Sequence, residues 1–338
     1  MRILLTGSSG WLGRFLAPRL RADGHEVIGL DVAPRADTGV VGSVADRGLV
    51  ERVFAERGIE AVVHAGALHK PDIARYPEQL FVDVNVTGTL NLLRAAAAAG
   101  NDRFLFTSTT SLMISAAFRA GARSKAAWLT EEFAPLAPRN IYGVTKLAAE
   151  QLCRLYHEEH RLCVIVLRTA RFFPEEDDMG HAIALDGPNI KANEFLNRRL
   201  TVEDAAEAHV AALGRAPSLG FETFIISAPP PFAEADCEDL ARDAPAAIAR
   251  YFPEAPALYA AAGWRLPERI DRVYVPAKAE ALLGFRCRTD FGAVLQALAE
   301  GRALPFAHDP SYVSPKEGAG DASESARQGS KPLTRLAI

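Results

Sequence analysis

The chain has little cysteine, no excess of positive charge and no long apolar run, and each shortage excludes something. Its four cysteines, Cys153, Cys163, Cys237 and Cys287, are scattered. Such spacing builds neither a disulfide framework nor a zinc site, and it points to a reducing compartment. The formal net charge of −4 offers no basic field to nucleic acid or an anionic membrane. No stretch approaches the roughly 18 apolar residues of a membrane span. The first apolar run is too short for a signal peptide and leads straight into glycines. The expectation is a cytoplasmic, soluble protein with no nucleic-acid or membrane partner and no metal.

What is present is ordinary for a globular protein: 338 residues, 49% hydrophobic and 24% charged, enough for one large domain or two. The first half alternates short apolar runs at residues 3–5, 27–30, 61–64, 104–106 and 164–167 with helical patterns. Those patterns span residues 11–22, 46–57, 77–99 and 142–160. The alternation predicts an α/β fold, a Rossmann-type doubly wound parallel sheet with helices on both faces. After Arg168 the rhythm breaks in RFFPEEDDMGHAIALDGPN. A helix near residues 203–213, a strand at 223–227, the rigid turn APPPF and an acidic, alanine-rich helical stretch at 234–262 follow. A strand at 273–275 and a helix at 291–300 come last. The expected organisation is a first domain over 1–170, with returning elements from about 200–228 and 273–276. Most of 171–310 forms a smaller C-terminal α/β substrate lobe, and 311–338, rich in Ser, Gly, Lys and Glu, a disordered tail.

The opening MRILLTGSSGWLG runs from a strand into Gly7, Gly10 and Gly13 and then into a helix. Such a turn brings backbone amides and the positive end of a helix up to a pyrophosphate, so Gly7, Ser9, Gly10, Trp11, Leu12 and Gly13 are candidate cofactor residues. EVIGLD ends the second strand on Asp31, an acid placed to accept the hydroxyls of an adenosine ribose. It would repel a 2′-phosphate, so NAD is expected rather than NADP, with Arg14 and Arg35 as the residues that speak for NADP. YGVTK sets Tyr142 and Lys146 four residues apart on one helix face. A nearby ammonium and a positive nicotinamide ring would lower the phenol's pKa and let Tyr142 exchange a proton with a substrate hydroxyl. Lys146 can also hold the nicotinamide ribose.

Together these residues resemble the extended short-chain dehydrogenase/reductase superfamily, in its NAD-dependent epimerase/dehydratase group. VVHAGAL resembles the family's strand end, where Ala65, Gly66 and Ala67 would line the cofactor. NVTGTLNLL resembles its Asn-Val-x-Gly-Thr helix, with Asn85 at the site, and Ser43 and Val44 join the cofactor candidates. FLFTSTTSLM resembles the strand carrying the catalytic Ser or Thr, which gives Thr109 that role and puts Thr107 near the nicotinamide. LTVEDAAEAHVAAL and KAEALLGF resemble the returning helix and a C-terminal signature. The resemblance implies a Thr109–Tyr142–Lys146 catalytic set, bound NAD and a homodimer paired through the two long helices.

Departures from the family narrow the chemistry. Dehydratases and decarboxylases that resemble this chain put an acid directly after the catalytic Thr, whereas Thr110 and Ser111 stand here, so dehydration is not expected. The segment from Arg168 to Asp204 is 204 − 168 = 36 residues, short beside sugar-nucleotide relatives. Arg171 stands where those relatives carry a substrate-binding Asn. Asn193, Arg198 and Arg199 are the candidates to replace the usual nucleotide contacts. LRTARFFPEE is also similar to the corresponding turn of uronate dehydrogenases, which oxidise free hexuronates with NAD. That family's carboxylate-binding Arg is missing, with Met179, Gly180 and His181 in its neighbourhood. Arg171 then has two readings, a fork for a substrate carboxylate or phosphate, or a salt bridge to the acidic run 175–178. The substrate candidates are Thr109, Thr110, His69, Arg171, Phe172 and Asn193. Three functions follow. The first is an NAD-dependent dehydrogenase or reductase of a sugar or similar small polyhydroxy compound. The second is a sugar-nucleotide 4-epimerase with tightly held NAD. The third is a non-catalytic dinucleotide sensor, against which the intact Tyr142 and Lys146 argue.

Overall fold

The computed structural model describes residues 1–115, 118, 124–175 and 185–316. Nine strands occur among them: β1 (Arg2–Thr6), β2 (Glu26–Asp31), β3 (Val40–Val41), β4 (Ala61–His64), β5 (Phe104–Thr109), β6 (Ala127–Leu129), β7 (Val164–Thr169), β8 (Phe221–Ile226) and β9 (Arg272–Tyr274). Seven of them form one parallel sheet in the order β3-β2-β1-β4-β5-β7-β8. The order reverses between β1 and β4, and in open sheets of this kind ligands bind beyond the strand ends at that point. Helices α1 (Trp11–Ala22), α2 (Arg47–Arg57), α3 (Gly88–Ala98), α4 (Ile141–His160), α5 (Gly187–Glu194) and α6 (Val202–Leu219) surround the sheet or lead away from it.

The central strands carry uninterrupted apolar runs, at residues 3–5, 61–63, 104–106 and 164–167, because both faces are covered there. On one face Ile3, Leu5, Val63, Leu105 and Ile165 pack under Leu12, Leu16 and Leu20 of α1 and Ala205, Ala208 and Ala212 of α6. The alternate residues Leu4, Val62, Phe104, Phe106 and Val164 meet Val50 and Val53 of α2, Leu92 and Leu93 of α3, and Ala149 and Cys153 of α4. A third core, around Phe195, Leu240, Ile248, Tyr259, Phe291 and Val294, belongs to the C-terminal part. No described helix is long and apolar enough to cross a membrane.

Two expectations need correction and one needs refinement. The helix expected over 77–99 runs without a break over residues 78–98, but its middle, Val82–Thr87, is wound as a wider π-type stretch between Glu78–Phe81 and α3. The strand near 273 does not return to the main sheet; as β9 it pairs with β6 in a separate two-stranded parallel sheet. The free edge of β8 is occupied instead by a side chain, since the Ile225 amide donates to Glu131 Oε1 at 2.7 Å, a way of closing an edge to further strands. Finally, residues 312–316, expected in a disordered tail, line a cleft together with Gly7, Asp31, Tyr142 and Lys146. Residues 317–338 and 176–184, with Met179, Gly180 and His181, lie outside the described residues.

Candidate active site

The glycine turn is dictated by space. Gly7 has φ of +73°, a conformation that favours glycine, and a Cβ there would stand 2.7 Å from the Gly66 amide nitrogen. A Cβ on Gly13 would fall 2.2 Å from the Gly7 carbonyl oxygen, so α1 can seat against the turn only as glycine. Gly10 precedes α1 and brings no side-chain cap to it. The first amides of a helix are then left for an anion, and Gly10, Trp11 and Leu12 line the cleft. Ser9 contributes its backbone, donating from N to Asp31 Oδ2 at 3.1 Å, while the Ala33 amide donates to Oδ1 at 3.0 Å. Asp31 is thereby aimed at the cleft, with its pKa raised by burial against the opposing pull of those amides.

The loop after β4 is held from below by a buried hydrogen-bond chain. The Gly66 amide donates to Thr6 Oγ1 at 3.0 Å, and Thr6 meets His64 Nδ1 at 2.7 Å. His64 Nε2 meets Thr89 Oγ1 at 3.0 Å, and Thr89 donates to the Asn85 carbonyl at 2.7 Å. Because the last acceptor is a carbonyl, the protons run one way along the chain, with His64 neutral; burial pushes its pKa down to about 3. The Asn85 side chain clamps Leu68 at both its N and O, 2.9 Å each, and donates to Thr145 Oγ1 at 3.0 Å. Asn85 thus supports the cleft wall from behind rather than lining it.

Helix α4 begins where Asn140 accepts from the Gly143 amide at 2.9 Å, which fixes Tyr142 in the first turn and Lys146 one turn on. Thr109 ends β5, its Oγ1 accepting from the Ser111 amide at 3.1 Å. Burial pushes the Tyr142 phenol up to about 12, opposed by a hydrogen bond with Thr109. Lys146 is 3% exposed, has its ammonium 4.1 Å from the Phe106 ring centroid, and has no hydrogen-bond partner among the described residues. Burial holds its pKa down to about 7, with Cys153 and Glu150 pulling the other way. For the chain alone, burial is the largest influence on both groups. Thr107 meets His209 Nε2 at 2.8 Å; since His209 Nδ1 faces the Ala205 carbonyl at 2.7 Å, the threonine is the donor.

All of this converges on one cleft of about 1050 Å³. Gly7, Gly10, Trp11, Leu12, Asp31, Ser43, Val44, Ala65, Gly66 and Ala67 line it at one end; Thr107, Thr109, Thr110, Tyr142, Lys146, His69, Arg171 and Phe172 line the rest. Asn193 is not brought there. Its amide donates to the Arg265 carbonyl at 3.0 Å, so it braces α5. Ser9 and Gly13 stand behind the glycine turn.

Beyond Tyr142 the cleft carries charge. Glu194, 2% exposed, lies 2.7 Å from Arg199, 3.2 Å from Arg198 and 4.0 Å from Arg171. Lys191 meets His308 Nδ1 at 2.8 Å, and burial holds its pKa down to about 8. Glu175 lines the cleft, its pKa raised by burial against the opposing field of Arg171, Lys191 and Arg199. Phe173 stacks on Phe172 at 4.8 Å and tilts against His69 at 5.1 Å. Glu194, Arg198, Arg272 and Tyr274 line the cleft; the sequence motifs mark neither Glu194 nor Tyr274, because they come from regions whose pairing no local pattern reveals.

Comparison with known proteins agrees with this fold. The sequence profile of the NAD dependent epimerase/dehydratase family matches residues 3–225. UDP-glucose 4-epimerase 4 of Oryza sativa subsp. japonica is 33% identical over 185 residues, which cover 49% of this chain and 48% of that one. The chain thus spans about half the length of the curated relatives it matches. UDP-glucose 4-epimerase of Thermotoga maritima, solved with UDP-glucose, superposes with a TM-score of 0.62 at 22% identity, over 89% of this chain and 98% of that one. A short-chain dehydrogenase/reductase superfamily protein of Agrobacterium tumefaciens, solved with bound NAD, gives 0.60 at 22% identity, over 98% and 100%. At such identities the likeness is one of fold.

Proposed function

The chain belongs to the NAD-dependent epimerase/dehydratase family, and on that premise we propose that it is an NAD-dependent oxidoreductase of a sugar or related small polyhydroxy compound. It would move a hydride between the cofactor and a substrate carbinol. The observation that carries this reading is the meeting of Thr109, Tyr142 and Lys146 with the glycine turn and Asp31 in one cleft.

The residues fit the dinucleotide. The turn is emptied of side chains at Gly7 and Gly13, and Asp31 is oriented by two amides with lone pairs to spare for ribose hydroxyls. When bound, NAD takes up or returns the hydride, and its oxidised ring brings a positive charge to the phenol. Lys146, without a hydrogen-bond partner of its own among the described residues, holds the nicotinamide ribose. Thr109 orients the substrate oxygen, and Tyr142 Oη exchanges the proton with it. Arg171 and Arg198, which line the cleft beside Glu194, are the groups that would take a substrate carboxylate or phosphate, while Arg199 is buried behind them on Glu194 and the Phe173 carbonyl.

Dehydration remains disfavoured, since Thr110 and Ser111 follow Thr109. A second reading, 4-epimerisation of a sugar nucleotide, is supported by Arg272 and Tyr274 on the cleft wall and by the names of the similar proteins. The test is NADH formation, followed by absorbance, with NAD and parallel panels of free sugars, sugar acids and sugar nucleotides. NADH with a free sugar or sugar acid is the expected result. Conversion of a sugar nucleotide to its epimer with no net NADH would give the second reading, and no NAD binding at all would overturn both.

A further inference from the structure

The chain crosses back over the cleft after its last helix. Phe306 packs on Phe195 at 5.5 Å, His308 meets Lys191, and the Asp309 amide donates to the Pro174 carbonyl at 2.9 Å. These contacts pin the segment to the substrate side. Next, Pro310 and residues 312–316 line the same cleft as Asp31, Tyr142 and Lys146. The Tyr312 ring meets Trp11, in the first turn of α1, edge-on at 5.2 Å. Lys316 then ion-pairs with Asp72 and approaches the Ala67 carbonyl at 3.3 Å and His69 Nε2 at 3.5 Å. Its field also reaches Asp31, favouring the carboxylate.

The Lys316–Asp72 pair is not an ordinary surface contact. The two side chains are 12% and 1% exposed, and exposed pairs contribute little, whereas an ammonium taken out of water has to be matched by its partners. Asp72 is also fixed in place, accepting from the His69 amide at 2.7 Å. One covalent segment is therefore fastened to both walls of the cleft, and its far fastening lies against the loop that follows Ala65 and Gly66.

We propose that residues 310–316 are a strap over the dinucleotide cleft, fastened by Lys316 on Asp72 and by Tyr312 on Trp11, and that its opening sets the rate at which the dinucleotide leaves. This rests on the reading of the cleft as the NAD site. The full chain is loaded with NADH and mixed with excess NAD, and release is followed by the loss of bound-NADH fluorescence in a stopped flow. Lys316→Ala and Tyr312→Ala are expected to release NADH about tenfold faster, the effect of one charge-assisted or aromatic fastening, while Lys316→Arg stays near wild type. Unchanged release in both alanine variants would overturn the strap while leaving the cofactor reading intact. Faster association with unchanged release would also overturn it, because the segment would then compete with the dinucleotide instead of retaining it. A wild-type chain that binds no NADH would remove the cofactor reading and the strap together.

Discussion

On the proposed function Lys146 serves two opposed demands, since that chemistry needs its nitrogen inside the cleft and burial penalises its charge. With a pKa of about 7, against an ordinary lysine value of 10.5, the folded chain binds fewer protons than the unfolded chain across that window. The sign follows from linkage: the penalty is whole below pH 7 and fades as pH rises toward 10.5. Lys146→Met should therefore raise the Tm of the cofactor-free protein, more at pH 6 than at pH 9, while turnover falls by about a hundredfold or more. Equal gains at both pH values would show that the ammonium is not the source. At this scale the sequence was informative wherever chemistry is local. Glycines that must be glycine, Asp31 at a strand end, and Tyr142 with Lys146 one turn apart are all legible from spacing. Asn193 misled because a polar residue in a substrate segment serves as readily to brace a helix, and only its neighbour at Arg265 decides between the two.

At the scale of elements, one buried network joins β5, α4 and β7 beneath the site. Ser108 donates to Glu150 Oε1 at 2.6 Å, and Arg168 holds both carboxylate oxygens, with its closest approach 2.7 Å. Glu150 and Arg168 are 4% and 6% exposed. Removing one partner leaves the other charge stranded, so Glu150→Gln should lose about 3–5 kcal/mol in denaturant unfolding. Adding Arg168→Met should recover most of it. A single variant as stable as wild type would mean that the network relaxes around the loss. The alternating strands and helices of the first 170 residues were readable because each carries its own hydrophobic period. The partner of β9 was not, since a three-residue strand has no pattern that names its neighbour, and the Glu131 carboxylate that meets the edge of β8 comes from 94 residues away in the chain.

For the whole molecule, the sheet's strand ends, α4 and the C-terminal segment meet around the cleft that Asp31, Tyr142 and Lys146 line. The lone Tyr312 and Lys316 in a polar stretch carried no signal of their place there, because a contact between opposite ends of the chain leaves no local trace. The central claim is that Tyr142 moves the proton for a hydride exchanged with NAD. The most direct measurement compares Tyr142→Phe with wild type, using the substrate that the panels identify and following NADH by absorbance alongside NAD binding by titration. The account predicts NAD affinity within about twofold of wild type and turnover lower by about a hundredfold or more. Near-normal turnover in the phenylalanine variant would contradict it.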